Sequence, residues 1–320
     1  MRDPGLAAIV RSQIPLVYAD GADTGTDRPA HVRAASGLAR INGQIALIQD
    51  DASFIALIDV ETGRARALPL PADDGVRQFH DTRGNKHDKL DLEACVVVDD
   101  TLLAFGSGSL PKREVVVGLR LDEGPDVRVV QASALYGALR AETRFAGSQM
   151  NIEAAVVIGD QLRLFSRGNG RASETQRAVN ASCDVELRQL LAHLEAPDHL
   201  PAPTPRNVIV YELGTLEGVP LGITDATTLQ TTVIYAAAAE SSPNAIDDGA
   251  VVGSAIGLLD GSNEPRWAPV TLPSGALFAG KVEGILMAGD RLIAVIDMDD
   301  PEVPSKLCTI ELCGVSRSQF

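Results

Sequence analysis

Apolar and polar positions along this chain repeat one plan five times. A small or acidic residue opens an apolar run, a two-residue turn follows at offsets six and seven, and a second apolar run begins. The openers are Ser36, Glu93, Glu153, Asp225 and Glu283, and the turns fall at Asn42-Gly43, Asp99-Asp100, Gly159-Asp160, Thr231-Thr232 and Gly289-Asp290. Each unit therefore reads as a tight β-hairpin. The intervals are 57 (36 to 93), 60 (93 to 153), 72 (153 to 225) and 58 (225 to 283) residues. Such lengths fit about four strands plus loops, the size of a propeller blade. The spacing predicts an all-β, five-bladed β-propeller spanning residues 1–320 as one domain, with blades opening near 36, 93, 153, 225 and 283. A sixth blade has room only in the long third interval, and a six-bladed disk is the alternative.

Within the first unit the predicted strands are Leu38 to Ile41, Gln44 to Gln49, Phe54 to Val60 and Ala65 to Leu68; the second repeats that order from Glu93 to Gln131. The third carries an insertion at about 168–205. There Asp184 is placed to N-cap a helix with Val185, Leu187, Leu190, Leu191 and Leu194 on one face, and a strand at Asn207 to Leu213 resumes the blade. In the fourth unit Asp225 opens the first strand, with Val233 to Ala239 and Ala250 to Leu259 following. The fifth lacks a fourth strand, so the N-terminal stretch Leu6 to Val10 or Ile14 to Tyr18 is predicted to complete it and leave no free edge.

Composition narrows the class. A hydrophobic content of 45% supplies a core, and with only 4% aromatics that core must rest on Val, Ile, Leu and Ala. The formal charge of -15 excludes a nucleic-acid partner, which needs clustered Lys and Arg. No apolar run approaches a membrane span, and Arg11 interrupts the N-terminal stretch before a signal-peptide core forms. Four cysteines without CxxC spacing (Cys95, Cys183, Cys308 and Cys313) fit a reduced, cytoplasmic setting; a periplasmic one requires a leader removed from the sequence.

In a propeller the start of each first strand lies on a ring about the central axis, and the end of the second strand returns to the same face. The ring collects Glu93, Glu153, Asp225 and Glu283, with Ser36 the odd member. The returning ends bring Asp50, Ser107, Arg167, Glu240 and Asp297; two residues before the openers stand Ala34, Asp91, Asn151, Ile223 and Lys281. Converging carboxylates repel one another unless a cation or hydrogen bonds compensate them. Glu93, Glu153, Asp225 and Glu283, with the amide oxygen of Asn151, form an oxygen-ligand set for a divalent ion such as Ca2+. The alternative is that these carboxylates cap backbone N–H groups or pair with Arg167, Lys281 or Arg33.

The strings Asp91-Leu92-Glu93-Ala94, Asn151-Ile152-Glu153-Ala154-Ala155 and Val282-Glu283-Gly284-Ile285 resemble the Glu-Gly or Glu-Ala blade openers of phytase-like and esterase-like bacterial β-propellers. That resemblance implies a central acidic site, often with Ca2+, and hydrolysis of a phosphoester or ester. Ser36 departs from the pattern, and no His is paired with an acid as the lactonase propellers would require.

The leading expectation is thus a cation-binding acidic face that takes a small anionic substrate. In its enzymatic form Glu240 or Asp297 positions water, Arg167 or Lys281 offsets developing charge, and His87, in the polar segment 78–89, serves as acid or base from a lid. A non-catalytic propeller that binds a protein or sugar through its face loops, its carboxylates structural, and a glycoside hydrolase-like site are the alternatives; the latter lacks aromatics for stacking sugars. His193 and His199 read as surface residues and Trp267 as packing in an outer strand. Ser107 and Ser109 make no nucleophile elbow. Asp247-Asp248-Gly249 reads as a turn.

Overall fold

The protein is described by a computed structural model covering residues 1–72, 74–170, 172–173, 175–241, 249–260 and 264–315. It is mostly β. The chain begins with β1 (Ala7–Pro15) and the short β2 (Val17–Tyr18). A first run follows, β3 (Ala35–Ile41), β4 (Gln44–Gln49), β5 (Phe54–Ile58) and β6 (Arg64–Pro69), and then a second, β7 (Leu92–Val98), β8 (Thr101–Gly106), β9 (Val115–Arg120) and β10 (Asp126–Gln131). Helices α1 (Ser133–Ala141) and α2 (Thr143–Ala146) lead to a third run, β11 (Ile152–Ile158), β12 (Gln161–Ser166), β13 (Asn180–Glu186) and, after α3 (Leu187–Glu195), β14 (Arg206–Tyr211). The two-residue β15 (Thr215–Leu216) precedes a fourth, β16 (Val219–Leu229), β17 (Thr232–Ser241), β18 (Ala250–Leu259) and β19 (Arg266–Thr271). The last run is β20 (Lys281–Ala288), β21 (Arg291–Asp297) and β22 (Lys306–Cys313).

Within each run consecutive strands pair antiparallel. β1 lies along β22 in antiparallel register from Ala7 opposite Cys313 to Pro15 opposite Lys306, and its other side touches β19 in parallel at Ala8 and Val270. β1 takes in most of Leu6 to Val10 and only the start of Ile14 to Tyr18, whose Val17–Tyr18 instead pairs in parallel with β6 of the first run; β1's bridging joins the fourth and fifth runs into a nine-stranded sheet among four sheets in all. The first strands β3, β7, β11, β16 and β20 neighbour one another in a closed cycle, a propeller-like arrangement. Hydrophobic clusters fill the seams between successive runs, including the seam from the last run back to the first. Along β8 the alternation is visible: Leu102 and Ala104 point into the seam with the first run, Leu103 and Phe105 into the seam with the third. Burial on both faces is why these strands read as continuous apolar runs rather than alternating ones.

The tight turns have their physical reason in residue type. Asn42 and Gly43 both sit at positive φ, 45° and 75°, as a type I′ hairpin requires. Four of the five turns fall where the sequence places them. The fourth does not: Leu229 pairs with Thr232, so the turn is Gln230-Thr231, one residue early, with Gln230 at φ 52°.

The insertion also differs. Residues 180–186 form a strand, because Ala181, Cys183 and Val185 alternate into the seam with the second run. Asp184 therefore caps no helix; it accepts from Arg163 Nε at 2.7 Å and Nη2 at 3.0 Å. The cap of α3 is Glu186, which accepts from the backbone N–H of Arg188 and Gln189. Helices α1 and α2 carried no sequence prediction. α1 buries Leu135, Tyr136 and Leu139, and the Tyr136 hydroxyl donates to Gly106 O at 2.7 Å or Val115 O at 2.9 Å. His193 is buried in α3, with Nδ1 2.8 Å from Leu200 O, and is no surface residue; His199 is exposed. Trp267 is buried in β19, its Nε1 donating to Leu213 O at 2.7 Å. Among the described residues no helix is long and apolar enough to cross a membrane.

Candidate functional site

Every first strand breaks register at the same point. The pairing skips between Ala35 and Gly37, Leu92 and Ala94, Ile152 and Ala154, Ile223 and Asp225, and Val282 and Gly284. The extra residue of each bulge is Ser36, Glu93, Glu153, Thr224 and Glu283. A bulge re-aims a side chain out of the ladder, and here it does so at the end of the strands facing the cavity described below. The fourth member is thus Thr224, where the sequence spacing put Asp225. The two hydroxyl members do the same work: Ser36 Oγ donates to Leu92 O at 2.5 Å, Thr224 Oγ1 to Val282 O at 2.6 Å, each stitching its strand to the residue before the next Glu. Asp225 is buried away from the cavity, accepting from Ile285 N at 2.7 Å, and burial pushes its carboxyl well up. Counting back from the Gln230-Thr231 turn would have found the shift.

Four of the five bulge residues, Ser36, Glu93, Glu153 and Glu283, line a cavity of about 220 Å3 whose lining holds eleven carboxylates and six Lys or Arg side chains. Glu93, Glu153, Glu283, Asn151, Arg167, Lys281, Glu240 and Asp297 all line it, so the structure brings together the expected site residues apart from Asp225 and His87. The His87 side chain is 71% exposed and stands beside Asp88; from its loop the cavity takes His80, Asp81, Thr82 and Lys86 instead. That loop is fastened to Asp27, which accepts from Arg83 and from the backbone N–H of Arg77 and Gln78. Asp247 and Asp248 lie outside the described residues.

Two knots of charge organise the walls. In one, Lys89 Nζ sits 2.8 Å from Asp50 Oδ2, 2.6 Å from Asp51 Oδ1 and 2.7 Å from Asp91 Oδ1, while Arg113 Nη1 reaches Asp91 Oδ2 at 2.9 Å. In the other, Arg167 holds Glu240 at 2.6 Å and Glu153 at 3.4 Å, and Lys281 holds Glu283 Oε1 at 2.7 Å and Glu240 at 3.5 Å. Asn151 Nδ2 donates to Glu153 Oε1 at 2.6 Å and Gly249 N to Glu240 Oε1 at 2.7 Å. Gly222 leaves room for Arg167: a Cβ there would lie 2.9 Å from its Cγ and Nε. Lys89, Asp51 and Arg113 were not singled out from the sequence, since all three fall outside the repeat offsets.

Arg33 pairs with Asp51 and Lys86 with Asp81, so all six cations are matched. The acids are not. Among the described residues Glu93 and Asp297 have no Lys or Arg within ion-pair distance, and Asp50 Oδ1 and Glu283 Oε2 are buried without a hydrogen-bond partner. Burial, then the charges of Asp50 and Glu153, pushes Glu93 well up; burial, then Asp299, does the same for Asp297. Burial raises Glu153 to about 8 against the pull of Arg167, and burial with the charge of Asp50 raises Asp51 to about 6. For Asp50 burial is outweighed by Lys89, and for Glu240 by Arg167 and Lys281, so both stay below the usual carboxylate range. One cavity thereby holds protonated and ionised carboxyls together.

Asp50, Asp91 and Glu93 each offer an oxygen within 4.8 Å of the others, a donor set suited to a hard cation. The ammonium of Lys89 already lies against two of the three.

The chain belongs to a family of unknown function, DUF6929, whose model matches residues 31–312. No curated protein matches it by sequence. Its fold is similar to that of a glutaminyl cyclase from Myxococcus xanthus, 10% identical with a TM-score of 0.50 over 96% of this chain and 97% of that one. A β-1,2-mannobiose phosphorylase from Listeria innocua is more distant, 11% identical with a TM-score of 0.43 over 88% of this chain and 90% of that one.

Proposed function

We propose that this member of DUF6929 is a five-bladed propeller hydrolase that acts on a small polar substrate by carboxylate acid–base chemistry in the hub cavity. The five bulged first strands and five filled seams support the blade count. The observation that carries the chemistry is the presence, in one cavity, of a carboxyl that keeps its proton at neutral pH, Glu153, and one that has lost it and retains an unpartnered oxygen, Asp50. Environments that push two carboxyls apart in this way assign acid and base. Glu153 then protonates the leaving group while Asp50 Oδ1 takes the proton of an attacking water, so that the water oxygen bonds to the substrate as the leaving group departs. Arg167 and Lys281 are each neutralised by acids, which makes them supports for Glu153, Glu240 and Glu283 rather than anchors for an anion. An anionic substrate, expected from the sequence, would enter a lining with almost twice as many acids as cations. A glycoside would find no Trp, Tyr or Phe among the described lining residues to stack on.

The test is a rate screen over lactones, aryl esters, aryl glycosides and phosphomonoesters, with and without chelator. We expect turnover that survives chelation and falls about 100-fold or more in Glu153→Gln. No turnover on any class, or full activity in that variant, overturns the reading. A second reading, hydrolysis assisted by a bound Ca2+, is favoured by the Asp50, Asp91 and Glu93 oxygens; turnover abolished by chelator and restored by Ca2+ would establish it instead.

A further inference from the structure

In ion pairs every hub cation is matched while, among the described residues, some acids are not, although Arg33 Nε, Arg113 Nε and Arg167 Nε, like Asp50 Oδ1 and Glu283 Oε2, are buried without a hydrogen-bond partner; the ion-pair balance favours a cationic ligand. Each of the six lining Lys and Arg side chains already contacts at least one carboxylate. On the acid side, among the described residues, Glu93 has no cation within ion-pair distance. Glu283, whose side chain is 7% exposed, uses Oε1 for Lys281 and keeps Oε2 buried with no partner. A buried carboxylate oxygen left without a donor is costly, and the cost disappears when a ligand supplies the donor.

We propose that the hub cavity contains a subsite for a protonated primary amino group, held by Glu93 and the free oxygen of Glu283, and that the substrate is an amine-bearing small molecule. The inference rests on the reading above only for the location of the site. An ammonium carries three N–H donors and no acceptor, and its positive charge beside Glu93 and Glu283 favours their ionised form, which then offers carboxylate oxygens in want of donors. Its arrival also removes the mutual repulsion of the hub acids. A quaternary ammonium is the wrong ligand: it has no N–H, and such groups are recognised by aromatic cages, whereas Trp, Tyr and Phe are absent from the described lining. A divalent ion is disfavoured by the ammonium of Lys89, which sits 2.8 Å and 2.7 Å from two of the three clustered acids.

The experiment is thermal melting and calorimetric titration of the intact protein with n-propylammonium, n-propanol, tetramethylammonium and CaCl2 at matched ionic strength. We expect a saturable rise in Tm with n-propylammonium, none with n-propanol, and binding of tetramethylammonium weaker by about tenfold or more. Glu93→Gln and Glu283→Gln should each weaken n-propylammonium by about tenfold or more, the scale of a charge-assisted hydrogen bond. Glu93→Gln removes a half-buried carboxyl that has no cation partner among the described residues, so it should fold as well as the parent and keep the test decisive. Equal effects of amine and alcohol, tetramethylammonium as strong as propylammonium, stabilisation by CaCl2 alone, no shift with any probe, or variants that bind as the parent does would each overturn the proposal. Because the readout is binding, amine recognition without turnover would leave this subsite standing and sink the hydrolytic reading; turnover without amine recognition would do the reverse.

Discussion

The exchange of Asp225 for Thr224 in the ring shows how far one residue's displacement reaches. A slip of one position along a strand sends every side chain to the opposite face, so Asp225 faces a seam and its carboxyl serves Ile285 N. Burial holds that carboxyl well above its usual range, and Asn keeps an acceptor for the same N–H, so Asp225→Asn should change stability by less than about 1 kcal/mol. Thr224→Val removes the donor to Val282 O and should cost about 1–2 kcal/mol. Denaturant unfolding of both variants checks this; a large loss from Asp225→Asn with none from Thr224→Val would restore Asp225 to the ring. The carboxylates themselves were legible as a set because four units share an offset. Of the cations that match them, Arg167, Lys281 and Arg33 were legible, whereas Lys89 and Arg113 come from connecting segments, where no repeat constrains position.

Among the elements, hairpins were the most readable, since turn chemistry is local and Asn-Gly or Gly-Asp announces itself. The insertion was misread for a physical reason. Residues 180–186 alternate small and polar groups weakly enough that the Leu-rich stretch after them dominates the pattern, and Asp184 imitates a cap while pairing with Arg163. α1 escaped because its apolar face rests on only three residues that a strand could equally use. The structure assigns α3 a packing role away from the hub: Leu190 and Leu194 are buried against the second and third runs. Leu190→Ala should cost about 2–5 kcal/mol through the cavity it leaves, and Glu186→Ala about 1 kcal/mol through the lost cap. Both variants should leave ligand binding at the hub unchanged when chemical melts and titration are compared; altered hub binding in either would join α3 to the site.

For the whole molecule, the central acids govern how stability follows pH. Glu153 rises from 4.5 to about 8 on folding, so between those values the native state holds more protons than the unfolded chain. Stability from that group is complete below pH 4.5 and is lost as pH climbs through 8. Asp51, raised to about 6, acts in the same direction over a shorter interval. Asp50 and Glu240, held low, act oppositely and withdraw stability as the solution becomes more acid than the usual carboxylate range. Melting temperature should therefore fall steadily from about pH 5 to pH 8, and Glu153→Gln should flatten the slope. A Tm that rises across that interval would show that the hub acids are not protonated.

The pairing of β1 with β22 also sets a schedule for the nascent chain. Ala7 meets Cys313, so β1 must wait for β22, synthesised about 300 residues later. At a synthesis rate of about 5–20 residues per second that wait is about 15–60 s. Four runs can assemble in the meantime, but until residue 313 emerges β1 can hold only to β19, through a short parallel bridge. Any ribosome that stalls after the fourth run leaves the ring open and the hub acids unenclosed. Such a truncated product has no cavity and exposes an unfilled seam, which marks it for capture by chaperones or removal by proteases.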